Sequence, residues 1–193
     1  MKKLLITGFD PFGGQSVNPS WAAVEQLPEQ VGEFALCKLM IPTVFEKAAR
    51  IVQEEAAWIG ADVILCVGQA GGRSAVTPER IAINVRSASM PDNEGYQPVE
   101  EPVVQGGPDG IFATVPVYAM AQAIRDAGVP GAVSNTAGTF VCNDVLYTLL
   151  HRYAGTKTRI GFIHVPYLPT QGEPNLPLEE TVKALKAAIE AVG

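Results

Sequence analysis

Cys142 stands in SNTAGTFVCNDVLY (134–147), after a run of small polar residues and ahead of an apolar-periodic stretch. The other two cysteines have a different setting. Cys37 and Cys66 lie inside the apolar runs ALCKL and ILCVG, where a small soft side chain fills core space. The periodic stretch from Phe140 reads as a helix capped by Thr139 or a neighbour, which puts Cys142 in its first turn. Unpaired N–H groups and the helix field there favour a thiolate over a thiol. The same groups offer donors to the oxyanion that forms when sulfur attacks a carbonyl. The competing reading is a third core cysteine in an amphipathic helix.

A cysteine nucleophile needs an imidazole to take and return a proton, and the chain has two. His151 follows Leu149-Leu150 near a helix end and reads as solvent-facing. His164 closes the apolar run IGFIH before Val165-Pro166, at a strand end where catalytic groups collect, and is the candidate base. The imidazole in turn wants a carboxylate to fix its tautomer. Glu79 in TPERIAIN is the first choice, with Asp10, Asp92 and Asp144 as rivals. Asp144 is two residues past Cys142 and so points to another face of the helix. Asp10 has a second reading, as a pin for its own Gly/Pro turn. The two histidines are far apart and match no metal-ligand spacing.

Phe9 and Phe12 flank Asp10-Pro11 in a loop whose turn chemistry does not require two aromatics. They read either as walls of a pocket for a flat, uncharged group or as an apolar plug over a sheet edge. Gln69 is placed to give such a group an amide partner. The glycine-rich pieces GFDPFGG and GQAGGR match neither dinucleotide nor phosphate-loop spacing, so they read as close backbone approach to a substrate.

These residues must be carried by alternating strands and helices. Strands are expected at Lys3–Thr7, Phe34–Met40, Asp62–Val67, Ile111–Val115, Gly131–Ser134 and Ile160–Val165, with a short piece at Ile81–Val85. Helices are expected from Asn18-Pro19-Ser20 (Ser20 as cap), over Val44–Ile59, Tyr118–Ala127, Phe140–Tyr153 and Leu178–Val192. Strands separated by helices of this length imply a central, largely parallel sheet covered on both sides. GFDPFGG, GQAGGR, SNTAG and HVPYLP all sit at predicted strand ends, where active sites of such folds gather.

No linker or repeat divides the chain, and 193 residues suit one domain over 1–193. Hydrophobic residues at 47% and charged residues at 18% exclude disorder. A net charge of -6 without a basic cluster argues against nucleic acid and leaves small molecules or peptides as partners. No apolar run reaches the roughly 18 residues a membrane span needs. Three irregularly spaced cysteines suggest neither a disulfide framework nor a zinc site and point to the cytoplasm.

The stretches GFDPFGGQSVNPSW, VGQAGGR, TPERIAIN, PDNEG, SNTAGTFVCN and GFIHVPYLP resemble, in order and spacing, the pyroglutamyl peptidase type I (pyrrolidone-carboxylate peptidase) family of cysteine peptidases. The resemblance runs from about Leu4 to the final helix. It implies an α/β/α sandwich with a twisted, mixed, mainly parallel sheet, no cofactor, a cytoplasmic location and a homotetramer. It also implies Cys142 as nucleophile, His164 as general base, Glu79 as orienting carboxylate, and Phe9, Phe12 and Gln69 around a pyroglutamyl ring. The implied substrates are peptides bearing an N-terminal pyroglutamate. Another thiol amidohydrolase or amidotransferase, or a non-catalytic binding protein, is the alternative. One departure stands out: where many members carry arginine two positions before PDN, this chain has Ser89, with Arg86 nearest. That implies weaker stabilisation of the tetrahedral intermediate unless Arg86 substitutes.

Overall fold

The computed structural model describes residues 1–193. The elements follow in the order β1 (Lys2–Phe9), α1 (Pro19–Glu25), β2 (Gln30–Val31), β3 (Phe34–Ile41), α2 (Lys47–Ile59), β4 (Val63–Gln69), β5 (Thr77–Pro78), β6 (Ile81–Ile83), β7 (Gly110–Phe112), α3 (Val117–Asp126), α4 (Val141–Arg152), β8 (Arg159–Val165) and α5 (Leu178–Glu190). Six strands form the central sheet in the order β2-β3-β1-β4-β8-β5. β3, β1, β4 and β8 run parallel, whereas the short β2 and β5 are antiparallel edges. β6 and β7 pair separately. The fold is an α/β/α sandwich around a mixed, mainly parallel sheet.

The pleat sorts the core. Successive strand residues face opposite sides, so continuous apolar runs such as LLI in β1 and VILCV in β4 supply both layers. Leu4, Ile6, Leu65, Val67, Ile163 and Val165 join the α1, α3 and α5 side. Leu5, Ile64, Cys66, Ile160 and Phe162 join the α2 and α4 side. Even-numbered residues of β4 and β8 therefore face α4, and Gly68 and His164, paired across the two strands, continue that series to the carboxyl edge. The sheet order reverses at β1: the chain passes to β3 on one side and then crosses back to β4 on the other. The carboxyl ends of β1, β4 and β8 flank this switch point, where open α/β sheets form their crevices.

Several local expectations are corrected. Asn18, not Ser20, caps α1: its Oδ1 accepts the Ser20 N–H at 3.1 Å and Pro19 takes the first helical turn, where a missing N–H costs nothing. α2 begins at Lys47 rather than Val44, because Asp92 and Asp144 take the N–H groups of Phe45 and Glu46 and hold that segment outside the helix. Gly131–Ser134 is no strand; it makes only single bridges, Val76 to Gly131 and Glu79 to Ser134. No helix is long and apolar enough to cross a membrane.

Candidate active site

At the carboxyl edge lies a pocket of about 290 Å³ lined by residues from five remote segments, among them Phe9, Phe12, Gln69, Arg73, Phe140, Cys142 and His164. That is the small end of the range of ligand pockets, suited to one ring and its linking bond. All six sequence candidates are accounted for: five line the pocket, and the sixth, Glu79, lies buried behind His164.

Strand pairing explains why Glu79 meets His164. β5 runs antiparallel to β8 with Thr77 opposite His164, so Glu79, two residues on, faces the same side. The Glu79 N–H donates to the Phe162 carbonyl at 2.9 Å and continues the ladder. Its side chain is fully buried, and its Oε1 lies 2.7 Å from His164 Nδ1. A carboxylate there accepts a hydrogen bond from Nδ1–H and leaves Nε2 as the basic nitrogen.

The same oxygen receives Arg73 Nη1 at 2.6 Å. Arg73 also donates to Thr77 Oγ1 at 2.6 Å and, through Nη2, to the Thr136 carbonyl at 2.9 Å. Arg73 is the site residue that sequence reasoning missed; the only signal was its place at the end of GQAGGR. The chain can bring it there because Gly71 lies flat under Tyr167, where a Cβ would sit 2.2 Å from the ring.

Cys142 occupies the first turn of α4. The helix is docked by the next two residues, both fully buried. Asn143 brackets the β6 segment, accepting the Ile83 N–H at 2.9 Å and donating to the Ile83 and Val85 carbonyls. Asp144 accepts Arg86 Nε at 2.5 Å and the Glu46 N–H at 2.9 Å. The sulfur consequently rests on Gly68, where an added Cβ would lie only 2.9 Å away. Gly68 is the cross-strand partner of His164, so sulfur and imidazole share one spot on the sheet.

The expected cap is absent. Phe140 holds the N-cap position without a side-chain bond, and Thr139 Oγ1 donates instead to the Ser87 carbonyl at 2.6 Å. No side chain therefore caps the first-turn N–H groups.

Burial opposes the expected thiolate. Burial pushes the Cys142 thiol up to about 12, with the Glu79 charge adding to it; Arg73 and the Cys142 N–H pull the other way and are outweighed. Burial lowers His164, and Arg73 works in the same direction, against Glu79. Burial opposes ionisation of Glu79, yet its bonds to His164 and Arg73 bring its pKa below the ordinary carboxylate value. Burial therefore works against the charged form of each group, the thiolate of Cys142 and the imidazolium of His164.

The rivals have other occupations. Asp10 Oδ1 accepts the Thr43 N–H at 2.7 Å and Asn93 Nδ2 at 3.1 Å, linking loops rather than pinning its own turn. Asp92 accepts the N–H groups of Phe45, Glu94 and Tyr96. Asp144 belongs to Arg86, whose Nη1 also donates to Glu46 at 2.6 Å; Arg86 is buried there and does not reach the pocket. Ser89 is exposed and outside the pocket. His151 is exposed on α4 and stacks on Tyr147.

The pocket walls are aromatic. Phe9 is buried at the floor with its ring 6.3 Å from Phe162. Phe12 lies 6.1 Å from Phe140, which packs edge-on against Phe45. Phe9 is at once wall and plug. Gln69, at the end of β4, brings the amide.

Comparison with known proteins gives a consistent result. The profile of the family described as Pyroglutamyl peptidase matches residues 2–193. The pyrrolidone-carboxylate peptidase of Levilactobacillus brevis is 50% identical over 197 residues, covering 98% of this chain and 97% of the relative. That of Thermococcus onnurineus is 46% identical over 194 residues, covering 97% of each. The crystal structure of Bacillus amyloliquefaciens pyroglutamyl peptidase I superposes with a TM-score of 0.96 at 45% identity, over 100% of this chain and 97% of that one.

Proposed function

This chain belongs to the pyroglutamyl peptidase family and, as a cysteine peptidase of that family, hydrolyses the amide bond after an N-terminal pyroglutamyl residue; we propose that Cys142, His164 and Glu79 carry out that reaction. The observation that supports this assignment most is the shared location of the three. The Cys142 sulfur sits on Gly68, the cross-strand partner of His164, and His164 Nδ1 is bonded to buried Glu79.

Pyroglutamate is a five-membered lactam whose nitrogen is an amide, so the ammonium of an ordinary N-terminus is absent. Aromatic walls from Phe9 and Phe12 with an amide from Gln69 suit such a ring. An ammonium in the same place would be desolvated without a partner, so ordinary N-termini are rejected. The scissile carbonyl then lies over Cys142. His164 Nε2 takes the thiol proton as sulfur bonds to the carbonyl carbon, and the uncapped N–H groups of the α4 first turn receive the oxyanion. The imidazolium, stabilised by Glu79, gives its proton to the leaving amine, which departs and leaves a thioester. Water, deprotonated by His164, attacks the thioester and releases free pyroglutamate with the thiol restored.

The chain is further assigned to the cytoplasm, as a homotetramer acting on peptides and not on nucleic acid or membranes. Three unpaired cysteines, net charge -6, and exposed apolar side chains such as Trp58 and Phe112 support this. Sedimentation tests the tetramer.

The assay for the assignment is turnover of a pyroglutamyl-amide reporter. Wild type is expected to turn it over and to leave prolyl and glutamyl analogues intact. C142S is expected to stay folded and to lose at least about 1,000-fold in kcat, as when a catalytic nucleophile is removed. Substantial C142S activity would refute the nucleophile.

A further inference from the structure

Gln171 lies in the connection between β8 and α5, outside the pocket lining, but its amide reaches three partners. Gln171 Oε1 accepts the Leu168 N–H at 3.0 Å. Gln171 Nε2 donates to the Val17 carbonyl at 3.3 Å and to Gln69 Oε1 at 3.0 Å. The turn that carries it is closed by the Gln171 N–H donating to the Leu168 carbonyl at 2.9 Å, so side chain and main chain lock the same four residues.

Two of the three partners are backbone groups whose roles cannot be exchanged. A backbone N–H only donates and a carbonyl only accepts. The Leu168 N–H therefore makes its end of the Gln171 amide the oxygen, and the Val17 carbonyl makes the other end the NH2 group. An NH2 facing Gln69 needs an acceptor, which turns Gln69 Oε1 toward Gln171. Gln69 Nε2 is left without a protein partner in a residue that lines the pocket. The orientation of this amide, ordinarily interchangeable by a flip, is thus dictated by two main-chain groups on separate loops.

We infer that Gln171 is a positioning residue that holds Gln69 as a hydrogen-bond donor toward the substrate, so that the site selects a ring with an acceptor in place of a methylene. The inference rests on the pyroglutamyl reading above. The lactam carbonyl is that acceptor, and a prolyl ring, which has only CH2 there, strands the Gln69 N–H groups without a partner. Specificity at the ring is therefore set from loops that do not touch it.

The test is Gln171→Glu, which keeps the bond from Leu168 but removes both donors. A carboxylate oxygen facing Gln69 turns that amide round and presents its carbonyl to the substrate carbonyl. KM for a pyroglutamyl-amide is expected to rise about 10- to 100-fold, the equivalent of one lost bond plus one unpaired group, while kcat stays within about 3-fold. Gln171→Met, neutral and without donors, leaves Gln69 free to turn either way and raises KM less. On a Gln69→Ala background Gln171→Glu is expected to add nothing, which a purely structural role would not reproduce. An unchanged KM in a folded Gln171→Glu, or an equal rise on the Gln69→Ala background, overturns the inference; if Gln171→Glu does not fold, an unchanged KM in Gln171→Met does so. Wild type that fails to turn over the pyroglutamyl-amide would overturn the activity itself, a separate result from either.

Discussion

At the scale of single residues, the reaction turns on where one proton sits. With a thiol pushed up to about 12 beside an imidazole lowered from 6.5, the proposed mechanism needs His164 free of its proton before attack. Activity is then expected to fall on the acid side as His164 protonates, with no thiolate limb near neutrality. Arg73 is expected to tune this step through its bond to Glu79 and its charge near His164. Its charge lowers His164 and supports Glu79, so Arg73→Met is expected to raise the His164 pKa and move the acid limb of the kcat/KM profile to higher pH. The accompanying loss should be about 10- to 100-fold, in keeping with one charge-assisted hydrogen bond. A profile superposable on wild type would show that Arg73 merely packs the wall. Apart from its place at the end of GQAGGR, nothing in the sequence separated Arg73 from other arginines, because its position depends on Gly71 passing beneath Tyr167, a contact between segments nearly a hundred positions apart.

At the scale of elements, the site is built by strand register and one docked helix. Gly68 is the floor on which the sulfur rests. In Gly68→Ala the new Cβ would lie 2.9 Å from Cys142 Sγ and 2.8 Å from the Phe162 ring, so one of them must move. A displacement of about 1 Å is expected to lower kcat roughly 100-fold while the protein stays folded. Wild-type kcat in this variant would mean that the sulfur does not need its seat. The same elements show what a sequence can and cannot reveal. β1, β4 and β8 were legible because strands buried on both faces are continuously apolar, and α4 because its helical period begins just before Cys142. The edge strands β2 and β5, two residues each, carry no periodicity of their own. Glu79 nevertheless depends on β5, since only the antiparallel register opposite His164 turns it inward. Chemistry suggested Glu79; periodicity favoured it only modestly. The N-terminus of α4 was misread in its cap, because Thr139 has a better acceptor in Ser87 from a distant loop. Gln171 carried no signal at all, being one polar residue in a Pro- and Gly-rich connection.

At the scale of the whole molecule, buried ionisable groups make stability depend on pH in two windows. His164 and Glu79 have folded pKa values below their ordinary ones, so below about pH 6.5 the unfolded chain binds more protons and stability falls as pH falls. Cys66 and Cys142 are raised to about 12 from 9.0, so above about pH 9 the unfolded chain loses protons that the folded one keeps, and stability falls as pH rises. Thermal melts across pH are expected to peak between these windows, and Cys142→Ala should soften the alkaline decline. A midpoint that kept rising above pH 9 would contradict the buried neutral thiols. The whole fold also explains how the strand and loop ends around Phe9, Gln69, Glu79, Cys142 and His164 act as one site: the sheet order reverses at β1 and brings their ends to one edge. The claim on which all of this converges is that the Cys142 sulfur forms a bond to the pyroglutamyl carbonyl carbon. An activated pyroglutamyl ester, whose leaving group needs no proton, acylates fast and leaves hydrolysis of the thioester as the slow step. Acid quenching during turnover, followed by mass-spectrometric mapping, is expected to find the pyroglutamyl group on the peptide containing residue 142 and to find Cys37 and Cys66 unmodified. An acyl group on any other residue, or turnover without acylation of residue 142, would contradict it.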